Sequence, residues 1–403
     1  MKFGLIYELQ QQKPWVENQE YKTYHDALDQ IELADKVGFD YVWEVEHHFL
    51  VEYSHSSAPE VFLAAASQRT KNIRIGQGVA LLPNPFNHPI RVAERAAALD
   101  IVSDGRLELG TGRSITEQEL GGFGIDPADS RPMWEEAIQM IPKIWTNETF
   151  AWEGDYFVVP PRMVLPKPIQ KPHPPLWMAC TQPDSFRIAG SKGLGALSFG
   201  FIAPGVLEAS LSIYRDAISD ANPVGEFVNN QFAATSFACV APTDEEALEF
   251  GKPAAEFFQE AIGILFVPWA KKADAPSSYQ YYVSLAQMAE ERLKQDPDGA
   301  FRFQEQWDSG TLCIGSPERV RDAVQKYVDA GCDQLIVMVQ VGRIPHEKVM
   351  QTIKLMGEEV IPHFQKAATC PYTRSPSREW GSLHRCGRCN ALVRPLAEPL
   401  TGL

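Results

Sequence analysis

Two adjacent histidines close an apolar run in Trp43-Glu44-Val45-Glu46-His47-His48-Phe49. An imidazole titrates near neutral pH, so a histidine at such a boundary suits general acid–base work or a hydrogen bond to a reacting group. Histidines tied into a strand-end turn are the competing reading. Adjacency limits the chemistry: successive strand residues point to opposite faces, so His47 and His48 cannot both reach one metal ion from a strand. No further His/Asp/Glu cluster at ligand spacing supports such an ion, which argues against a metal hydrolase. Glu46 either fixes a histidine tautomer or pairs with an arginine.

Two other stretches carry groups suited to an anion. In Gly110-Thr111-Gly112-Arg113-Ser114, glycines let the backbone approach a ligand and the arginine fork matches a phosphate. A plain tight turn competes with that reading, and the missing third glycine excludes a dinucleotide fingerprint. Thr181-Gln182-Pro183-Asp184-Ser185 combines hydroxyls with the free N–H groups of a helix start, an anion-binding arrangement. An ordinary N-cap by Thr181 or Asp184 is the alternative. Gathered at one mouth, the three stretches would hold a phosphorylated cofactor beside a proton-handling group.

The fold must therefore bring residues 47, 113 and 185 together. Apolar, β-rich runs fall at Lys2–Tyr7, Asp40–Val45, Ile73–Leu82, Arg106–Arg113, Leu176–Cys180, Ala196–Phe199, Phe232–Val240 and Gln334–Gln340, with helical patterns between them. Eight strands alternating with helices predict a (β/α)8 barrel of the TIM type, whose active sites lie at the carboxyl ends of the strands. A doubly wound open sheet is the main rival. Insertions are expected at about 147–175, as a hairpin and proline-rich connector, and at 263–310, as a polar and aromatic segment.

With 44% hydrophobic and 22% charged residues, the 403-residue chain reads as one barrel domain, 1–365, and a tail, 366–403. A net charge of -15 disfavours nucleic acid and anionic membranes as partners. Met1 to Tyr7 runs straight into Glu8 without a signal-peptide core, and no stretch nears the roughly 20 apolar residues of a membrane helix, so a cytoplasmic location is expected. Seven cysteines, an odd number, with Cys180, Cys239, Cys313 and Cys332 in apolar segments, read as reduced thiols. The tail holds six Lys/Arg and two Glu and reads as flexible; a zinc site from Cys370, His384, Cys386 and Cys389 is the alternative.

The motifs in their order resemble the bacterial luciferase-like, flavin-dependent monooxygenases over residues 1–365. Carrying the likeness are Gly38-Phe39-Asp40-Tyr41-Val42-Trp43 into Glu46-His47-His48-Phe49, then Asn87-His88-Pro89 and Ser103-Asp104-Gly105-Arg106 leading to Gly110-Thr111-Gly112-Arg113. Phe123-Gly124-Ile125-Asp126, Ser130-Arg131 and Pro174-Pro175-Leu176-Trp177 continue it. The resemblance implies His47, with His48 beside it, in the flavin chemistry, and Arg113, Arg131 and Ser185 near the flavin phosphate; Thr181 joins them on the helix-start reading above. It places Gly78-Val79 where members carry a non-prolyl cis peptide beside the isoalloxazine. Two departures stand out: Gln182 replaces a small hydroxyl residue, and Gly112 a cysteine of luciferase itself.

The same resemblance implies a monooxygenase that takes reduced FMN from a separate flavin reductase, reacts it with molecular oxygen to a hydroperoxide, and oxygenates a small hydrophobic substrate. The Tyr53–Glu60 loop looks similar to that of terpene and ketone oxygenases. Trp43, Trp177, Phe199 and Phe201 are candidate wall residues, and 263–310 the expected lid. A homodimer is implied as well. A deazaflavin-dependent hydride-transfer enzyme of the same superfamily and a non-catalytic flavin-binding barrel are the alternatives.

Overall fold

In the computed structural model all eight expected runs form strands, and the strands close into a ring. They are β1 (Lys2–Tyr7), β2 (Tyr41–Glu44), β3 (Arg74–Leu81) and β4 (Leu107–Gly112), a hairpin of β5 (Phe150–Glu153) and β6 (Val158–Arg162), then β7 (Leu176–Cys180), β8 (Gly195–Ser198), β9 (Phe232–Val240), β10 (Cys313–Gly315) and β11 (Gln334–Met338). The ring runs β1-β2-β3-β4-β7-β8-β9-β11 and closes where β11 pairs with β1, every pair parallel. Closure excludes the open doubly wound sheet. The structure describes residues 1–272, 274–295 and 300–365; the tail, with Cys370, His384, Cys386 and Cys389, lies outside the described residues.

Helices occupy the crossovers, and six of them open on a proline: Pro59, Pro89, Pro127, Pro183, Pro204 and Pro317. Proline has no N–H to lose at a first helical position, and its fixed φ suits the turn. Apolar side chains divide into two layers. Phe3, Leu5, Val42 and Ile75 face the helices, whereas Ile6, Trp43, Trp177, Leu197 and Phe237 fill the barrel. Among the described residues no helix is long and apolar enough to cross a membrane.

Three features differ from the sequence expectation. The helical pattern that the sequence shows over Pro132 to Trp145 begins earlier in the structure, at Pro127, where the Asp126 carboxylate accepts the Ala128 N–H at 2.8 Å. β10 went unread because three residues carry too little pattern; it pairs only with β9, outside the ring. Within 263–310 the described residues are mostly helical, since the helix Asp244–Ala270 runs through Gly263 and is followed by Gln280–Gln295 and Ala300–Ser309. The helix Asp244–Ala270 opens on the capping pattern Thr243-Asp244-Glu245-Glu246, with Thr243 accepting the Glu246 N–H at 3.2 Å.

Candidate functional site

A cavity of about 450 Å³ opens at the carboxyl ends of the strands, within the usual range of small-molecule sites. His47 lines it from just beyond β2. The ring is set by Glu119, on the short helix Glu117–Gly122, whose Oε1 lies 2.9 Å from His47 Nδ1. The same oxygen accepts the His48 backbone N–H at 2.9 Å, while Oε2 accepts the hydroxyls of Ser114 at 2.7 Å and Thr116 at 2.6 Å. Glu119 is fully buried. Burial would raise its pKa, but His47 and these hydrogen bonds outweigh burial and hold the carboxyl below its usual range. An ionised acceptor there requires Nδ1–H as donor, which leaves Nε2 facing the second carboxylate of the pair.

That carboxylate is Glu8, directly after β1, with Oε2 3.7 Å from His47 Nε2. Parallel pairing puts Tyr7 opposite Glu44, so the chain just past both strands brings Glu8 and His47 to one wall. Burial is the largest influence on Glu8 and pushes it up to about 7 against the lowering effect of His47. Burial works downward on His47, but Glu119, Glu8 and Glu46 prevail and hold it at about 9.

His48 faces elsewhere. Its ring stacks on Phe86 and meets Phe123 edge-on, and its Nε2 lies 3.3 Å from Glu46 Oε1; it does not line the cavity. Glu46 accepts the Leu81 N–H at 2.9 Å and the Asn87 amide at 2.8 Å. It thus ties the β2 end to the β3 end and serves His48, neither setting the His47 tautomer nor pairing with an arginine.

At another part of the cavity lie Arg113, Arg131, Thr181, Gln182 and Ser185. Arg113 donates to Ser130 Oγ and to the Ser278 carbonyl, each at 2.9 Å, and its guanidinium lies 4.2 Å from the centre of the Tyr279 ring. All those partners are neutral. A half-buried guanidinium with no carboxylate partner among the described residues is electrostatically suited to an anion. Arg131 is different, being paired with Asp184, which also pairs with Arg187. Ser185 is committed within its turn: Oγ accepts the Thr181 and Gln182 N–H groups at 3.1 and 3.2 Å and donates to the Gln182 carbonyl. Thr181 Oγ1 meets the Tyr282 hydroxyl at 2.5 Å.

Gly78 and Val79 also line the cavity, and the bond between them is cis. Gly112 makes room for Val79, since a Cβ at 112 would stand 2.6 Å from Val79 Cγ2. Of the four aromatic residues expected on the walls, Phe199 and Phe201 line the cavity. Trp43 and Trp177 instead pack edge-to-face, 5.4 Å between rings, and are fully buried. The 263–310 segment supplies Leu265, Phe266, Leu285 and Met288 to the wall.

Sequence reading missed Glu8, Glu119 and Tyr279. A carboxylate directly after an apolar strand was the available signal for Glu8. For Glu119 it was the Thr116-x-x-Glu119 capping pattern, whose Thr116 Oγ1 does accept the Glu119 N–H at 3.3 Å. Tyr279 had none.

A closed parallel barrel whose mouth joins a carboxylate-held histidine, an arginine with neutral partners among the described residues, and apolar walls has the make-up of a barrel enzyme with an anionic ligand. The chain belongs to the luciferase-like monooxygenase family, whose model matches residues 1–334. It is 28% identical over 346 residues to limonene 1,2-monooxygenase of Rhodococcus erythropolis, covering 84% of this chain and 81% of that one. The oxygenase component of flavin-dependent trigonelline monooxygenase from Acinetobacter baylyi is 31% identical over 176 residues, 43% of this chain and 47% of that protein. F420-dependent glucose-6-phosphate dehydrogenase of Microbacterium testaceum is 25% identical over 347 residues, 85% of this chain and 94% of that one. Among solved structures, monooxygenase RslO1 from Streptomyces bottropensis superposes with a TM-score of 0.74 at 28% identity, covering 90% of this chain and all of that one.

Proposed function

We propose that this chain is the oxygenase of a two-component, FMN-dependent monooxygenase that oxygenates a small hydrophobic substrate of the terpene, ketone or aldehyde kind. A separate flavin reductase supplies the reduced FMN, and the working form is a homodimer. The observation that carries the reading is one cavity lined both by Arg113, a cation with only neutral partners, and by the apolar side chains Phe199, Phe201, Leu265, Phe266 and Met288. Such a lining fits a ligand with a phosphate at one end and a substrate that avoids water.

The bound reduced flavin supplies the electrons and the oxygen-activating chemistry. This chain's residues do the rest. Arg113 holds the phosphate, with Arg131, Thr181, Ser185 and the helix start at Pro183 beside it. Gly78, Val79 and Gly112 shape the wall for the ring system. His47 presents Nε2 to the cavity and donates a proton there while Glu119 keeps the ring in place, and His48 secures the turn behind it. Apolar walls exclude water from the reacting group.

The named flavin-dependent relatives support oxygen use, and the F420-dependent relative supplies the reading to test against. Absorbance titration of the purified chain with reduced FMN and with the deazaflavin decides the cofactor, and a product screen with added flavin reductase decides the reaction. FMN binding and His47-dependent oxygenation are expected. Binding of the deazaflavin alone, with no oxygen consumed above the rate of free reduced flavin, overturns the proposal.

A further inference from the structure

His47 is approached from both ring nitrogens by carboxylates in different conditions. Glu119, on the Nδ1 side, accepts four hydrogen bonds and has no capacity left. Glu8, on the Nε2 side, lines the cavity and is 3% exposed; its Oε2 is enclosed and accepts no hydrogen bond of ordinary geometry among the described residues, although the Tyr53 and Ser54 hydroxyls lie close enough to lower its pKa. Buried carboxylate oxygens are ordinarily satisfied, and an exception at a cavity wall calls for an explanation such as a catalytic role or a small bound group. The gap of 3.7 Å to Nε2 exceeds a hydrogen bond, and since Oε2 is enclosed, an oxygen atom at about 2.8 Å from both groups enters with a small shift of the Glu8 side chain. The backbone turns sharply next to Glu8, with Leu9 at φ 49°, an uncommon conformation for a non-glycine residue that is seen at functional sites.

We propose that Glu8 is a second acid–base group of this site: Glu8 Oε2 and His47 Nε2 hold one oxygen atom between them, and Glu8 returns the proton that His47 gives up. In proton terms, the Nε2–H bond breaks as an O–H bond forms on the cavity oxygen. The carboxylic O–H of Glu8 then breaks as Nε2–H forms again, and the Glu8 carboxylate regains a proton from water. No electrons are transferred in the relay. The groups facing Glu8 favour this: burial raises it, His47 lowers it with Tyr53 and Ser54, and Glu119 raises it, for a balance of about 7. Glu8 in turn raises Glu44, at the end of β2, and Glu46 acts on His47. Glu8 therefore changes protonation near neutrality while His47, at about 9, stays mostly protonated.

The relay rests on the proposed function only for what the oxygen atom is, and its test needs no flavin. The full chain is labelled with ¹⁵N-histidine, and His47 is assigned by loss of its signals in His47→Gln. The wild type is expected to show its own imidazole titration near 9 and a smaller inflection near 7, the pKa to which Glu8 is raised. Glu8→Gln should abolish the lower inflection and move the upper one down by about one pH unit. A wild type with no inflection between about pH 6 and 8 overturns the proposal, and that result stands even if Glu8→Gln does not fold. With reduced FMN and oxygen, Glu8→Gln should lose the limb of the rate profile near neutrality, with turnover lower by about ten- to a hundredfold and flavin affinity unchanged; Glu8→Asp restores part of it. An unchanged profile in Glu8→Gln also overturns the relay, whereas absence of flavin binding in the wild type defeats the proposed function and leaves the ¹⁵N result to judge Glu8.

Discussion

Glu119 governs His47, and the dependence should be visible in stability as well as in chemistry. His47 sits at about 9 in the folded chain against an ordinary 6.5. Its contribution is therefore fully present below about pH 6.5 and is lost as pH rises through 9, on the order of 3 kcal/mol in full. Glu119 has the opposite sign: its lowered pKa contributes above the ordinary 4.5 and is lost as pH falls. Glu8, raised to about 7, takes stability away as pH climbs from 4.5 through 7. Urea unfolding across pH should show a loss between about 7 and 10, and Glu119→Gln should flatten that limb. A limb of equal depth in both proteins would show that the pair does not form. Arg113→Ala tests the anion position. Removing hydrogen bonds to a charged group costs about 1.5–3 kcal/mol, so FMN affinity by fluorescence titration should weaken roughly ten- to a hundredfold, with the unfolding midpoint little changed. His47 and Arg113 were legible because uncommon residue types stood at strand ends. Glu119 is 72 residues from His47, and only the closed barrel makes them neighbours.

At the scale of elements, glycines and tryptophans fit one another inside the barrel. A Cβ at Gly76 on β3 would stand 2.3 Å from the Trp43 ring, and one at Gly195 on β8 would stand 2.4 Å from Trp177. Trp177 is held further by its Nε1–H bond to Glu108 at 2.6 Å. Neither indole can retreat, since both are fully buried against each other. Gly76→Ala should therefore destabilise the barrel by about 1–3 kcal/mol through overpacking, measured by urea unfolding. A change within error would mean that Trp43 has another rotamer open to it. The strands were legible because each is an apolar run long enough to show its pattern. Gly263 misled because glycine usually marks a break, yet here it lies within the helix Asp244–Ala270, whose apolar residues Ala261 and Leu265 continue the buried face on either side. Likewise the connection that supplies Tyr279 to Arg113 has no periodic signature: its side chains are placed by the mouth they cover.

The whole molecule sets a conflict between its far field and its site. Barrel closure brings the ends of β1, β2, β4 and β7 to one mouth, so Glu8, His47, Arg113 and Thr181 line one cavity although the sequence scatters them. The chain carries a net charge of -15, which at long range repels a phosphate carrying about -1.5 to -2 charges. The repulsion acts over distance and is screened by salt, with a Debye length of about 30 Å at 0.01 M and 10 Å at 0.1 M. The Arg113 contact acts at short range in a partly buried site and is screened much less. Salt should consequently speed the association of FMN, by about two- to tenfold between 0.01 and 0.2 M, while the dissociation rate changes little. Stopped-flow flavin binding over a salt series separates the two rates. In Arg113→Ala the same acceleration is expected on association, since the far field remains, together with faster dissociation at every salt concentration. An association rate that falls as salt rises would mean that the mouth presents a net positive field to the ligand, and that Arg113 and Arg131 dominate capture as well as retention.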